Sequence, residues 1–145
     1  MVNANDIANY FLAKTIDEDS KITNLKLQKL LYYAQGLHLA LFDKELFSEE
    51  IEAWQHGPVC VDIYHDYKQY GSNIIPCNDC EKDFSKILSK EQIEFLDEIY
   101  DVFGQFSAWK LRDMTHEEPT WINNKDIASV ISKDEMKEYF KTRVA

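Results

Sequence analysis

The chain has 145 residues and carries 26 Asp and Glu against 16 Lys and Arg, a formal net charge of −10 with neutral histidine. With 45% hydrophobic residues, only four Gly and three Pro, it is neither a disordered nor a fibrous protein. A chain of this length forms one core, so we expect a single domain over residues 1–145. Direct nucleic-acid binding is disfavoured, because such binding depends on Lys and Arg neutralising phosphates.

The sequence contains no signal for a membrane or secreted protein. No apolar run approaches the roughly 20 residues that cross a bilayer. The first 13 residues lack the basic and apolar regions of a secretory signal. The cysteines, Cys60, Cys77 and Cys80, are an odd number and too few for a disulfide scaffold. We therefore expect a cytoplasmic protein that does not associate with membranes.

Four segments carry the signals of a helix start: a capping residue between two apolar residues that can pack together as a hydrophobic staple. The four capping residues are Asn3, Thr23, Ser89 and Ser132. In the last two helices, Gln92 and Glu135 occupy the position that completes a capping box. Gly104 is expected to end the third helix as its C′ residue.

The second of these helices is the predicted centre of the fold. Its apolar residues recur at helical spacing from Leu27 to Leu41 and form one continuous stripe. Gly36 lies within the stripe and costs about 1 kcal/mol relative to Ala, which predicts a closely packed neighbour against the backbone there.

Weaker signals complete the predicted fold. Pro58 is expected at the first position of one helix, and Ser107 is expected to cap another. Apolar clusters at 46–47 and 51–54 predict a short strand pair, and segment 72–85 has the composition of a surface loop. The predicted fold class is mainly α, a compact bundle of about five to six helices with a short β-hairpin between the second and third helices.

A zinc site is one hypothesis that the cysteines allow. The motifs His56-x3-Cys60 and Cys77-x2-Cys80 have ligand types and spacings that suit tetrahedral zinc. Only one CxxC motif is present, however, and Cys60 falls on an apolar helix face, where a buried free cysteine is the commoner outcome. We therefore predict neither a metal nor another cofactor.

A second hypothesis is catalysis by His116, which is followed by Glu117 and Glu118. A neighbouring carboxylate can tune a histidine for general-base chemistry. In the alternative interpretation, His116 ends a helix and bonds to backbone while both glutamates face water. The sequence has no phosphate-binding loop and no nucleophile motif, so the prediction is that the protein is not an enzyme.

Three stretches match the pattern of a known family. They are LKLQKLLYYAQG at 25–36, IEAWQHGPV at 51–59 with its continuation to Gly71, and Leu111 with THE-x-P-x-W at 115–121. Together they resemble the Panacea domain, an antitoxin domain also seen in SocA-like and phage-associated GepA-like proteins. The resemblance extends from about Asp6 to Trp121, nearly the whole chain.

The resemblance implies a mainly α-helical domain that neutralises a co-encoded toxin by direct binding, as the antitoxin of a type II toxin–antitoxin pair. A proteolytic adaptor that delivers a bound partner to a AAA+ protease is an alternative from the same family. An enzyme that uses His116 and Glu117 is a third possibility. The acidic surface agrees with a basic toxin, because complementary charge speeds association.

We assign partner binding to the turn at 54–58 and the segment at 116–121. The assigned residues are Trp54, His56, Gly57, Pro58, His116, Glu117 and Trp121. The tryptophans would be apolar anchors, the histidines hydrogen-bonding partners and Glu117 a charge for a basic group of the toxin. The same residues also have a structural explanation, with a helix-entry turn at 57–58 and the tryptophans packed in the scaffold.

Overall fold

The computed structural model describes residues 2–15, 22–77 and 82–144, which form seven α-helices and a three-stranded antiparallel sheet. The helices are α1 (Ala4–Lys14), α2 (Asn24–Phe42), α3 (Val61–Tyr67), α4 (Lys90–Phe103), α5 (Ala108–Thr115), α6 (Pro119–Ile122) and α7 (Lys133–Lys141). The strands are β1 (Ile51–Trp54), β2 (Gly57–Cys60) and β3 (Val130–Ile131). The predicted mainly α fold, with a hairpin between the second and third helices, is confirmed.

The four strongly signalled helix starts are confirmed, each with a side chain that caps the helix. The capping residues are Asn3, Thr23, Ser89 and Ser132. One detail is corrected in α7: the Glu135 carboxylate accepts a hydrogen bond from Asn124 Nδ2 at 3.1 Å instead of completing a capping box. Gly104, which directly follows α4, has a right-handed backbone with φ −64°. A larger residue would not fit there, because a Cβ would lie 2.4 Å from the Tyr100 carbonyl oxygen.

Helix α2 lies at the centre of the fold, as the sequence predicts. Fourteen of its 19 residues are buried, which is typical of a helix surrounded on all sides. The other long helices and the sheet pack around it. The close neighbour expected at Gly36 is the Phe140 ring of α7, which would lie 2.1 Å from a Cβ at that position.

The hairpin differs from its prediction in the strand that pairs with residues 51–54. β1 pairs with β2, with Trp54 opposite Gly57, so Gln55 and His56 form a two-residue turn. The expected partner at 46–47 is buried but lies outside any strand. Pro58 was predicted at a helix start, yet it lies in β2 and the next helix begins at Val61. Proline is tolerated there because β2 is an edge strand.

Two elements were not predicted from the sequence. β3 adds a third strand to the free edge of β1, with Ile131 opposite Ile51. α6 begins with Pro119 at its first position, directly after the turn that follows α5. The predicted loop at 72–85 is described only in part, because residues 78–81, Cys80 among them, lie outside the described ranges. None of the helices in those ranges combines the length and hydrophobicity that crossing a bilayer requires.

Candidate partner-binding site

The structure brings together the two stretches that the sequence analysis selected. The indole Nε1 of Trp121 donates a hydrogen bond to the backbone oxygen of Trp54 at 2.6 Å. On the other side of the turn, Gly57 lies against Thr115, whose Oγ1 would be 2.7 Å from a Cβ at Gly57. The turn at 54–58 and the segment at 115–121 therefore form one site.

His116 and Trp121 form the inner part of this site. Their rings stack in parallel, with centroids 3.9 Å apart and planes 5° apart, and Trp121 is only 8% exposed. Burial, and then the positive charges of Arg112 and Lys29, hold the pKa of His116 below its ordinary value. At neutral pH the stacked imidazole is therefore uncharged, which suits a packing role.

The hypothesis of a catalytic His116–Glu117 pair finds little geometric support. His116 Nε2 is buried and has no hydrogen-bond partner among the described residues. Glu117 is exposed to solvent and makes no hydrogen bond or ion pair to this imidazole within the described ranges. The two side chains are neighbours in sequence without forming an acid–base couple.

Glu118 is buried, which corrects the interpretation that both glutamates face water. It is 4% exposed, and its two carboxylate oxygens accept hydrogen bonds from the hydroxyls of Tyr32 and Tyr33, each at 2.7 Å. Arg143 lies 3.5 Å from the same carboxylate. Burial raises the pKa of Glu118. The residue thus connects the start of α6 to two adjacent tyrosines of α2.

Lys29 supports the hairpin from below. Its side chain is fully buried in α2, and its Nζ donates a hydrogen bond to the Pro58 oxygen at 2.8 Å. Burial and the nearby charge of Arg112 lower the pKa of Lys29 to about 7. Gly57, at φ +107°, packs against the same side chain, since a Cβ there would lie 2.7 Å from Lys29 Cε. Gly57 and Pro58 are therefore positioned against the core.

The outer part of the site is formed by exposed and half-buried aromatic residues. The half-buried Trp54 ring meets Tyr64 edge-on at 4.9 Å, and its indole nitrogen donates a hydrogen bond to Glu52. His56 is exposed and accepts a hydrogen bond from Arg112 Nε at 3.4 Å. The Arg112 guanidinium also lies 5.2 Å from the ring of Trp109, which is 59% exposed.

These outer residues border a pocket of about 430 Å³ between the hairpin, α3 and α5. Its lining includes Gln28, Lys29, Trp54, Tyr64, Lys68 and Trp109. The sequence analysis missed Lys68 and Trp109. Lys68 lies within the family motif at 51–71 but is an ordinary exposed lysine there, and Trp109 belongs to a segment distant in sequence from the hairpin. The one signal in the sequence was Trp109, two residues after the predicted capping residue Ser107. A tryptophan at that position also fits a core residue.

The zinc ligands proposed as an alternative are not assembled in the described part of the chain. Cys60 is buried, and burial raises the pKa of its thiol to about 12, so it stays protonated. Metal binding requires the thiolate. His56 is instead exposed in the hairpin turn beside Arg112. Across residues 2–15, 22–77 and 82–144, no three His, Cys, Asp or Glu side chains are grouped to hold a metal ion.

The fold and site define a mainly α-helical domain with an aromatic pocket beside a short hairpin. The family described as "Antitoxin SocA-like, Panacea domain" matches residues 27–122, which is more than half of the chain. The chain belongs to this family of antitoxin domains. The resemblance seen in the sequence motifs is thereby confirmed.

The chain is similar in sequence to Antitoxin SocA of Caulobacter vibrioides (strain NA1000 / CB15N). It is 31% identical over 123 residues, an alignment that covers 79% of this chain and 65% of the relative. The chain therefore spans less than two thirds of the length of that relative. No solved structure matches the chain.

Proposed function

We propose that this protein is the antitoxin of a type II pair and neutralises a co-encoded protein toxin by direct binding in the cytoplasm. Family membership supports an antitoxin role. The observation that supports direct binding is the aromatic pocket, where the 59% exposed Trp109 and the half-buried Trp54 border the same cavity. Partly exposed tryptophans in a concave surface are frequent centres of protein–protein binding energy.

The seven assigned residues divide into two groups under this proposal. Trp54, His56 and Glu117 reach the surface and contact the toxin. The other four hold the surface in shape: Gly57, Pro58, His116 and Trp121. The division follows from the surroundings of each side chain. Gly57, Pro58 and Trp121 are buried, and the half-buried His116 ring stacks on Trp121, so these residues have little free area for an interface.

The first experiment is co-expression with the adjacent reading frame. Growth is scored with that frame alone and with both frames, and the pair is then co-purified. We expect toxicity that this protein relieves, together with a stable complex. A harmless neighbour, or relief of toxicity without any complex, would contradict direct neutralisation. A partner that is degraded only when this protein and a AAA+ protease are both present would instead establish the adaptor role.

The Trp54→Ala variant tests the surface itself. We expect toxin affinity to fall at least about tenfold, as for a hot-spot tryptophan, while the helical circular dichroism spectrum is unchanged. Ile127→Ala is the matched control, because Ile127 is an 83% exposed apolar residue outside the aromatic pocket. Equal affinity for wild type and Trp54→Ala would exclude this surface.

A further inference from the structure

The aromatic pocket differs in charge from the rest of the molecule. The chain as a whole carries −10, yet none of the described residues that line the pocket is Asp or Glu. Two carboxylates lie one contact away from the lining: Glu52 accepts from the Trp54 indole at 2.9 Å, and Asp113 pairs at 3.2 Å with Arg112, which lies against Trp109. A negative ligand group in the pocket therefore meets no carboxylate among the described lining residues.

Positive charge is available at the mouth of the pocket. Lys68 is exposed just after α3 and forms no ion pair with any residue in the described ranges. Arg112 is not part of the lining but contacts two residues that are, Trp109 and His56. Lys29 is enclosed beneath the floor and is occupied by the Pro58 oxygen. Among the described residues, Lys68 is thus the exposed lysine or arginine of the lining, and Arg112 adds a positive charge beside the Trp109 ring.

Most of the remaining pocket surface is apolar, with polar contributions from Asn24, Gln28, Gln55 and Ser72. Trp54 and Tyr64 form one wall, and Trp109 forms another. A volume of about 430 Å³ lies within the range of pockets that enclose a small ligand or a large side chain. Aromatic walls favour a flat or bulky apolar group, and the exposed Lys68 favours a carboxylate next to it.

We infer that this pocket binds a segment of the toxin in which a large apolar or aromatic side chain lies next to an acidic residue. The inference rests on the proposed antitoxin function and refines it, because it predicts an acidic contact at one point of an otherwise acidic antitoxin. A polyanion such as RNA fits less well, since the surrounding charge of −10 repels a chain of phosphates. A single carboxylate avoids that long-range cost.

The test uses the purified antitoxin–toxin complex, with affinity measured by calorimetry at low and high salt. Trp109→Ala is expected to weaken binding at least about tenfold at both salt concentrations. Lys68→Glu is expected to weaken it about tenfold at low salt and less at high salt, because exposed charges are screened. Lys90→Glu makes the same charge change on an exposed residue outside the pocket and should change affinity less than about twofold.

A charge-reversal rescue sharpens the result. If an Asp→Lys or Glu→Lys substitution in the toxin restores binding to Lys68→Glu and weakens binding to wild type, the acidic contact is established. Tighter binding by Lys68→Glu would show a basic occupant and overturn the inference. So would ATP, used as a nucleotide probe, if it raised the melting temperature of the wild type but not of Lys68→Glu.

The outcomes also separate this inference from the function on which it rests. A wild-type protein that does not bind the toxin contradicts the antitoxin proposal itself. A wild type that binds while Trp109→Ala and Lys68→Glu bind equally well contradicts only the pocket. Both residues are exposed and lie outside the core, so folded variants are expected for each measurement.

Discussion

The two stretches of the candidate site contain similar residue types but place them differently. The segment at 115–121 turns most of its distinctive side chains inward: Trp121 stacks on His116, and Glu118 receives two tyrosine hydroxyls. The turn at 54–58 keeps Trp54 half-buried and His56 exposed, next to a pocket. His116 and Trp121 thus pack within the domain, whereas the histidine and tryptophan of the turn lie at the surface.

This difference shows what a family motif can encode. Residues of the inner segment contact the hairpin, and residues of the turn are the ones that the proposed function assigns to a partner. Substitutions in the inner part should therefore change the free energy of unfolding, and substitutions at the surface should change binding alone. The following variants test that division, from the largest expected effect to the smallest.

Gly57→Ala should destabilise the fold by about 3 kcal/mol. The backbone at φ +107° is strained for Ala, and the new Cβ would lie 2.7 Å from Lys29 Cε and Thr115 Oγ1. Gly71→Ala is the matched control, because Gly71 has φ +57° and open space around its Cβ position. Its ψ of −125° lies outside the left-handed helical region, so backbone strain alone should cost about 2 kcal/mol in urea unfolding. Equal losses would show that contact with Lys29 is not what Gly57 provides.

Glu118→Gln should cost about 2 kcal/mol. The amide keeps one acceptor oxygen for two tyrosine hydroxyls, so one buried hydroxyl loses its acceptor. Glu117→Gln makes the same chemical change on the exposed neighbour and should shift stability by less than about 0.5 kcal/mol. Thermal unfolding of both variants measures the contrast, and indistinguishable midpoints would argue against an inward role for Glu118.

Lys29→Met should change how stability depends on pH. The folded-state pKa of about 7 lies below the ordinary value of 10.5, so the unfolded chain binds more protons between these pH values. The Lys29 contribution to wild-type stability therefore rises with pH from about 7 to 10.5 and is least favourable below 7. Met removes this dependence but leaves the Pro58 oxygen without its donor.

The net effect of Lys29→Met should accordingly change sign. The pKa difference implies a change of about 4 kcal/mol between pH 6 and pH 10, so we expect a gain of about 2 kcal/mol at pH 6 and a loss of similar size at pH 10 relative to wild type. Urea unfolding from pH 6 to pH 10 measures the difference in free energy of unfolding between the two proteins. Titratable groups that both proteins share cancel in this difference. A constant difference between the two proteins would mean that Lys29 has an ordinary pKa in the folded state.

His56→Ala should have the smallest effect on stability, within about 0.5 kcal/mol, because the imidazole is exposed and accepts one long hydrogen bond from Arg112. We expect toxin affinity to fall while the melting temperature stays constant. His65→Ala offers a matched control, since His65 is an exposed histidine outside the pocket lining. A large loss of stability for His56→Ala would remove the distinction between the inner and outer parts of the site.

The features that were predictable from the sequence are those that depend on near neighbours in the chain. A cap such as Asn3 is recognised from the next three residues, and Gly36 stands out within a regular stripe. Pro58 was misplaced because a helix start and an edge strand are locally alike for proline. The strand at Pro58 is decided by pairing with β1, which the local sequence does not contain.

The polar core of the site was missed for the same reason. Burial of Glu118 depends on Tyr32 and Tyr33, which lie roughly 85 residues away, and burial of Lys29 depends on the Pro58 oxygen. Charged residues are seldom buried without partners. Their exposure was therefore the reasonable expectation until the tertiary contacts were known.

The contact between Phe140 and Gly36 also has a consequence for the order of folding. The ring that fills this gap comes roughly 100 residues after the glycine it covers, a long-range contact that forms slowly. During synthesis the ribosome releases α2 well before α7, so the apolar surface at Gly36 stays uncovered until the last helix emerges. Release of residues 133–141 is thus the step at which the nascent chain can close its core.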